Sequence, residues 1–234
     1  MCNTLFSRLL RLAGLLVLLL PASLAASEIK LARHPDYHEG KIVFSYLGDL
    51  WIVKEDGSEP RRLTVHTARE EHPRFSPDGK WIAFSSDRYG NNDVFVMPAE
   101  GGPARRLTYH SASDTVVGWS RDSKRVLFSS ARGRVYPGIP SLYEVPLDGG
   151  LEQPLPTDWG YWGSYSPDGK QFAFNRHPMV WSRKHYRGSY AADLWVMSTE
   201  SKTFRKILDS DLPDDQKPNN FWPMFGNGEI YFVS

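Results

Sequence analysis

Between Asn175 and Asp193 the chain gathers its densest set of interacting side chains: Arg176, His177, Arg183, Lys184, His185 and Arg187 alternate with Trp181, Tyr186 and Tyr190. Guanidinium and ammonium groups in this density suit carboxylates, which they hold through charge-assisted hydrogen bonds. Connections longer than about 12 to 15 residues are disproportionately functional. The candidate contacts with a substrate or a neighbouring domain are therefore Arg176, Arg183, Lys184, His185, Tyr186 and Arg187. The same composition also suits a long hairpin whose arginines stack on its own aromatic rings. The residues alone leave both readings open.

No other stretch has the pattern of a reaction centre. A Gly-x-Ser-x-Gly elbow, a His-Glu-x-x-His helix and a phosphate-binding glycine loop are all missing from the sequence. The histidines, His34, His38, His66, His72, His110, His177 and His185, include no pair at helical metal-ligand spacing. His72, beside Pro73 at the start of a strand, is the one placed to face a central channel. The oxygen-rich run Asp87 to Asp93 lacks the spacing and terminal glutamate of a calcium loop and reads as a hairpin connection. The acidic run Asp209, Asp211, Asp214 and Asp215 leads into Lys217-Pro218 and reads as a solvated linker. The expectation is no catalytic residue, no cofactor and no metal in this chain.

The first 25 residues have the form of a secretory signal peptide. Arg8 and Arg11 precede the apolar run Leu12 to Leu20, and Ser23 and Ala25 supply small residues for cleavage. That run is shorter than the roughly 20 apolar residues a membrane span needs. The expected location is the periplasm or the exterior, without a span in the mature chain. Removing Arg8 and Arg11 leaves 26 basic against 27 acidic side chains, which argues against nucleic acid as a partner. Cys2, the only cysteine, falls in the removed segment, so disulfides and thiol chemistry are not expected.

The elements that would carry these groups announce themselves by repetition. Ser76-Pro77-Asp78-Gly79, Ser120-Arg121-Asp122-Ser123 and Ser166-Pro167-Asp168-Gly169 each precede a lysine and a short apolar run. Proline presets φ at the first corner, aspartate caps the turn and glycine supplies positive φ, so each tetrapeptide joins two strands. First-strand aromatics Tyr37, Phe75, Trp119, Tyr165 and Phe225 recur at spacings of 38, 44, 46 and 60. Third strands repeat Asp49-Leu50-Trp51, Asp93-Val94-Phe95, Ser141-Leu142-Tyr143 and Asp193-Leu194-Trp195, apolar on both faces as in strands covered by neighbours. The expected fold is all-β, a propeller of four-stranded antiparallel blades. The expected blades are about 33 to 64, 72 to 108, 116 to 155 and 162 to 208, with a half blade at 221 to 234. Four and a half blades make an incomplete ring with an open strand edge, as expected of a segment of a longer protein.

With the turns and the outer Arg61-Arg62-Leu63-Thr64 and Arg105-Arg106-Leu107-Thr108 in view, the chain resembles TolB-like propeller repeats. Residues 34 to 234 resemble, more narrowly, the amino-terminal propeller of tricorn-type proteases. That resemblance rests on His34-Pro35 leading to Gly48-Asp49-Leu50-Trp51, on Lys184-His185-Tyr186-Arg187-Gly188 and on Phe221-Trp222-Pro223-Met224. It implies a non-catalytic propeller that gates or docks peptides for a serine-peptidase core downstream. The expected partners are peptide substrates and the carboxyl-terminal domains of the same protein, with an oligomer at full length. Archaeal members carry an adjacent arginine pair for a peptide's carboxylate between their second and third blades. The corresponding Tyr109 to Thr115 has none, so no anchoring residue carries over. The alternative reading is a TolB-like periplasmic scaffold that binds an envelope protein.

Overall fold

The computed structural model describes residues 31–133, 139–177, 191–208, 213 and 219–234. The leader read at 1 to 25 and the acidic run from Asp209 to Asp215, apart from Pro213, lie outside the described residues.

Every described element is a strand, and within each sheet strands consecutive in sequence pair antiparallel. Blade one comprises β1 (Arg33–His38), β2 (Lys41–Tyr46), β3 (Asp49–Lys54) and β4 (Arg61–Arg62). Blade two comprises β5 (Glu70–Phe75), β6 (Trp81–Ser86), β7 (Asp93–Pro98) and β8 (Arg105–Arg106). Blade three comprises β9 (Asp114–Trp119), β10 (Arg125–Ser130), β11 (Ser141–Pro146) and β12 (Gln153–Pro154). Blade four comprises β13 (Gly163–Tyr165), β14 (Gln171–Asn175), β15 (Leu194–Ser198) and β16 (Phe204–Ile207). A hairpin of β17 (Phe221–Gly226) and β18 (Glu229–Val233) follows. The result is a propeller of four blades and a half, its ring incomplete.

The recurrent turn holds because its serine and aspartate bond each other and the backbone. Ser76, Ser120 and Ser166 each donate to the aspartate two residues on at 2.6 Å. The same carboxylates accept the N–H of Lys80, Lys124 and Lys170, and these bonds hold Asp78, Asp122 and Asp168 below the usual carboxylate range. Gly79 and Gly169 take φ of 68° and 71°, whereas Ser123 adopts 59° at the same position.

The outer Arg-Arg-Leu-Thr resolves into four separate tasks. Arg61 and Arg105 donate to backbone oxygens of the next blade, Glu100 and Leu147. Arg62 and Arg106 pair with Asp49 and Asp93, the aspartates that open the third strands. Leu63 and Leu107 join the cores between blades. Thr64 and Thr108 accept the N–H of Leu50 and Val94, each at 2.9 Å, which satisfies buried donors where β4 and β8 have already ended.

The hydrophobic cores sit between blades rather than within them. Phe84, Phe95 and Met97 of blade two meet Val43, Leu50 and Ile52 of blade one, while Ala83, Val94 and Val96 on its other face meet Val116, Trp119 and Phe128 of blade three. Both faces of a third strand are thereby covered, the reason its sequence does not alternate. The expected first strand of blade four, Trp162 to Ser166, is shorter in the structure. A Cβ on Gly163 would strike the Phe172 ring and the Ala173 carbonyl, while Trp162 just before it still accepts the Asn175 N–H at 2.9 Å.

Candidate functional site

The inner strands of blades one and two and of the terminal hairpin share a bulge at one position, which in blades one and two brings the His34 and His72 rings together. Register slips between Arg33 and Asp36, between Glu71 and Arg74, and between Phe221 and Met224. In each case the extra residue precedes a proline and has left-handed φ: His34 at 52°, His72 at 54° and Trp222 at 57°. A proline disfavours the right-handed helical region for the residue before it, and a bulge re-aims that residue's side chain. Left-handed φ at a non-glycine residue costs of order 1 kcal/mol or more and clusters at functional positions.

The axis is consequently crowded with polar and aromatic groups from different blades. The His34 and His72 rings lie 3.7 Å apart between centroids, tilted by 39°. Trp162 of blade four reaches His72 at 5.3 Å, and the Arg74 guanidinium lies 5.8 Å from the Trp162 ring. Arg74 donates to the carbonyls of Pro73 at 2.8 Å and Val117 at 3.3 Å. Asp36 accepts the N–H of Phe75 at 2.8 Å. Trp119 completes the setting by donating its indole N–H to the Arg74 carbonyl at 2.9 Å.

Burial, with the charges of Arg74 and Arg33, depresses His34 to about 4. Burial, with His34 and Arg74, takes His72 to about 3. Both rings are therefore neutral near pH 7. Burial pushes Asp36 upward against the pull of Arg74 and the Phe75 N–H, and it pushes Arg74 downward. The Nδ1 atoms of His34 and His72 are buried without a hydrogen-bond partner among the described residues. A neutral imidazole has one donor and one acceptor nitrogen, so these rings retain hydrogen-bonding capacity the fold does not use.

Other buried charges belong to the frame. Glu70 pairs with Arg88, and Arg132 bridges Asp114 and Glu152, the latter at 2.8 Å. Arg106 lies between the Tyr89 and Tyr109 rings at 4.3 and 4.5 Å. Asp87, in the run read as a hairpin connection, accepts the Arg69 N–H at 2.7 Å. No three His, Cys, Asp or Glu side chains converge as metal ligands among the described residues, and no helix there is long and apolar enough to cross a membrane.

Of the six residues read as substrate or domain contacts, Arg176 is described. Its guanidinium lies 5.1 Å from the Trp159 ring and 5.8 Å from that of Trp195, and reaches Asp158 at 3.4 Å. It rests on Trp195 of its own blade and on Trp159 in the connection leading into that blade. Arg183, Lys184, His185, Tyr186 and Arg187 lie outside the described residues. His72 does face the axis, whereas His34, Asp36, Arg74 and Trp162 were not singled out as its companions. The signal for the three bulges was in the sequence, as His34-Pro35, His72-Pro73 and Trp222-Pro223 each stand just before their strands resume pairing.

Residues 29–234 match the tricorn protease N-terminal β-propeller domain. The chain belongs to that family. It is 34% identical over 211 residues to tricorn protease homolog 1 of Streptomyces coelicolor, a match covering 86% of this chain and 18% of the relative. The crystal structure of the tricorn protease superposes with a TM-score of 0.72 at 24% identity, over 87% of this chain and 20% of that one. A 69-residue stretch, 28% of this chain and 16% of the relative, is 32% identical to the Tol-Pal system protein TolB of Desulfosudis oleivorans. The chain thus spans about a fifth of its tricorn relatives, and the propeller is a scaffold within that family's architecture.

Proposed function

We propose that this propeller admits or docks peptides for a serine-peptidase core elsewhere in the same protein, and performs no bond cleavage itself. The observation that carries this reading is the axial cluster, where Arg74 and two neutral imidazoles keep hydrogen-bonding capacity beyond what the fold consumes. An extended peptide supplies the carbonyls, N–H groups and terminal carboxylate that such groups pair with. The leader with Arg8, Arg11 and Leu12 to Leu20 supports export, which amino-terminal sequencing of the periplasmic fraction would test. The cations Arg183, Lys184 and Arg187 are proposed as a second contact, with peptide carboxylates or a neighbouring domain.

Peptide binding to the full chain, followed by fluorescence anisotropy, tests the central claim. Arg74→Met should weaken affinity roughly tenfold, the scale of one lost charge-assisted contact. Unchanged affinity, with the variant folded by circular dichroism, would refute it. A second reading, a scaffold for an envelope protein, is favoured by the TolB-like stretch. Crosslinking in intact cells that captures no envelope protein would remove it.

A further inference from the structure

The outer edge of blade three departs from its siblings at the positions that face the next blade. Ile52 lies opposite Arg61 and Val96 opposite Arg105, whereas the same register position in blade three pairs Glu144 with Gln153. Ile52 shares a core with Phe75, and Val96 with Trp119, the first-strand aromatics of the following blades. Glu144 instead meets Tyr165 of blade four, whose hydroxyl donates to it at 2.8 Å. Arg61 and Arg105 also strap their blades to the Glu100 and Leu147 carbonyls of the next, and Gln153 stands where that strap would start. Leu147 and Thr199 hold equivalent places, each donating its N–H to the carbonyl of the recurrent turn's lysine, Lys124 and Lys170. The Thr199 carbonyl receives no guanidinium among the described residues.

A cavity of about 390 Å³ opens at this seam, with Arg121, Arg125, Glu144, Tyr165, Met197 and Lys202 in its lining. Sites for small ligands run from roughly 300 to 1,000 Å³ and set a few convergent polar groups among apolar walls. Glu144 is nearly buried, and its carboxylate holds the Tyr165 hydroxyl and, at 3.5 Å, a half-exposed Arg125. A carboxylate has about four acceptor positions, so Glu144 keeps room for a further donor. A carboxylate on a cavity wall suits a cation, and a planar guanidinium meets it through two parallel bonds. Blades one and two already seat a guanidinium at this place: that of Arg61 comes within 3.1 Å of where a Cβ on Gly101 would stand, and that of Arg105 within 4.0 Å of the same point on Gly149. The exposed Arg121 and Lys202 add positive charge to the lining, which suits a negative group on the same ligand. A residue of arginine at a carboxyl terminus carries both charges.

We propose that the seam between blades three and four binds the carboxyl-terminal arginine of a peptide segment, with the guanidinium on Glu144 and the Thr199 carbonyl and the terminal carboxylate toward Lys202 and Arg121. The ligand supplies from outside what Arg61 and Arg105 supply from within the chain. The site lies beside the outermost strand β12 rather than on the axis, and it does not depend on the peptide-admission reading above. Lysine, a point charge, lacks the rigid fork that reaches a carboxylate and a carbonyl together.

Isothermal titration of the full chain with N-acetyl-arginine tests this, repeated in Arg74→Met to set any axial binding aside. Binding should appear in both and be at least tenfold weaker for N-acetyl-citrulline, which keeps the shape without the charge. Glu144→Gln should weaken it roughly tenfold. Gln153→Arg restores the strap that blades one and two carry, and should abolish binding while raising the melting temperature. Equal affinity for the citrulline probe, or affinity unmoved by both Glu144→Gln and Gln153→Arg, would overturn the site. Free arginine, whose α-ammonium meets the cationic lining, should bind more weakly than the acetylated form; the reverse order would overturn a peptide terminus as the ligand. If Arg74→Met alone removes the titration, the signal belongs to the axis, and the seam proposal falls while the axial reading stands.

Discussion

The seam between blades two and three and the seam between blades three and four are built from the same repeat, yet they are fastened differently. At the first, Trp119 donates to the Arg74 carbonyl, Ser85 receives the Val116 N–H at 2.8 Å and donates to the Asp114 carbonyl at 3.1 Å, and Asp114 N–H reaches Asn92 at 2.7 Å. At the second, Ser129 in the place of Ser85 reaches the Gly160 carbonyl only at 3.5 Å, and Arg74 is replaced by Gly118. The second seam keeps the matching backbone bond, Gly160 N–H to Pro140 at 3.1 Å, together with Ser141 on the Asp158 carbonyl at 3.1 Å, the core of Leu127, Leu142 and Phe172, a Tyr165 hydroxyl on Glu144 at 2.8 Å, and an exposed contact from Arg121 to Pro167. An apolar core survives small relative movements of its blades better than directional bonds do. A repeat protein can therefore set which seam yields through one or two residues.

The largest contrast should come from the matching first-strand aromatics. Trp119→Ala, removing a buried ring and its bond to Arg74, should cost about 3 to 5 kcal/mol. Tyr165→Ala, at a more exposed ring, should cost less than half as much. Denaturant melts of the two variants measure this directly, and equal costs would erase the asymmetry. A finer comparison uses Ser85→Ala and Ser129→Ala. The first strands the buried Val116 N–H and should cost about 1 to 3 kcal/mol, while the second should cost under about 1 kcal/mol. Hydrogen exchange at Val116 should accelerate in the first variant alone.

The smallest effect concerns pH. In the unfolded chain both axial imidazoles take protons near 6.5, while in the folded chain His34 waits until about 4 and His72 until about 3. The unfolded state binds more protons across this window, so stability falls as pH drops from 6.5 toward 4. Solvent reaching the half-buried rings limits the loss to about 1 kcal/mol for each. Replacing His72 with glutamine should flatten part of that slope between pH 6.5 and 4 in chemical denaturation. An unchanged slope would mean the rings are not held neutral by the axis.

Much of the frame was legible because it obeys short-range rules. Turn residues at fixed offsets, period-two strands and doubly apolar third strands reveal four-stranded blades without any long-range information. The Arg-Arg-Leu-Thr motif was visible as a repeat, but its division of labour was not. Each of its residues answers to a different partner, and two of those partners are 39 and 42 residues away. The charged insertion drew attention by composition, whereas the described part of it, Arg176, turned out to rest on Trp159 and Trp195. Asp36, Arg74 and Trp162 stand too far apart in sequence, and in too ordinary a context, for any local pattern to join them.

The sequence by itself determined the strands, the turns, the repeat and the family, since backbone conformation and alternating burial depend on neighbours a few residues away. Only the tertiary structure decided that blades one, two and four meet on the axis, because that meeting depends on how blade twist and seam packing accumulate around the ring. Glu144 marks the boundary between the two kinds of information. As a letter it is one of 27 acidic residues, and its meaning, a carboxylate on the wall of a cavity between blades three and four, exists only once those blades lie side by side.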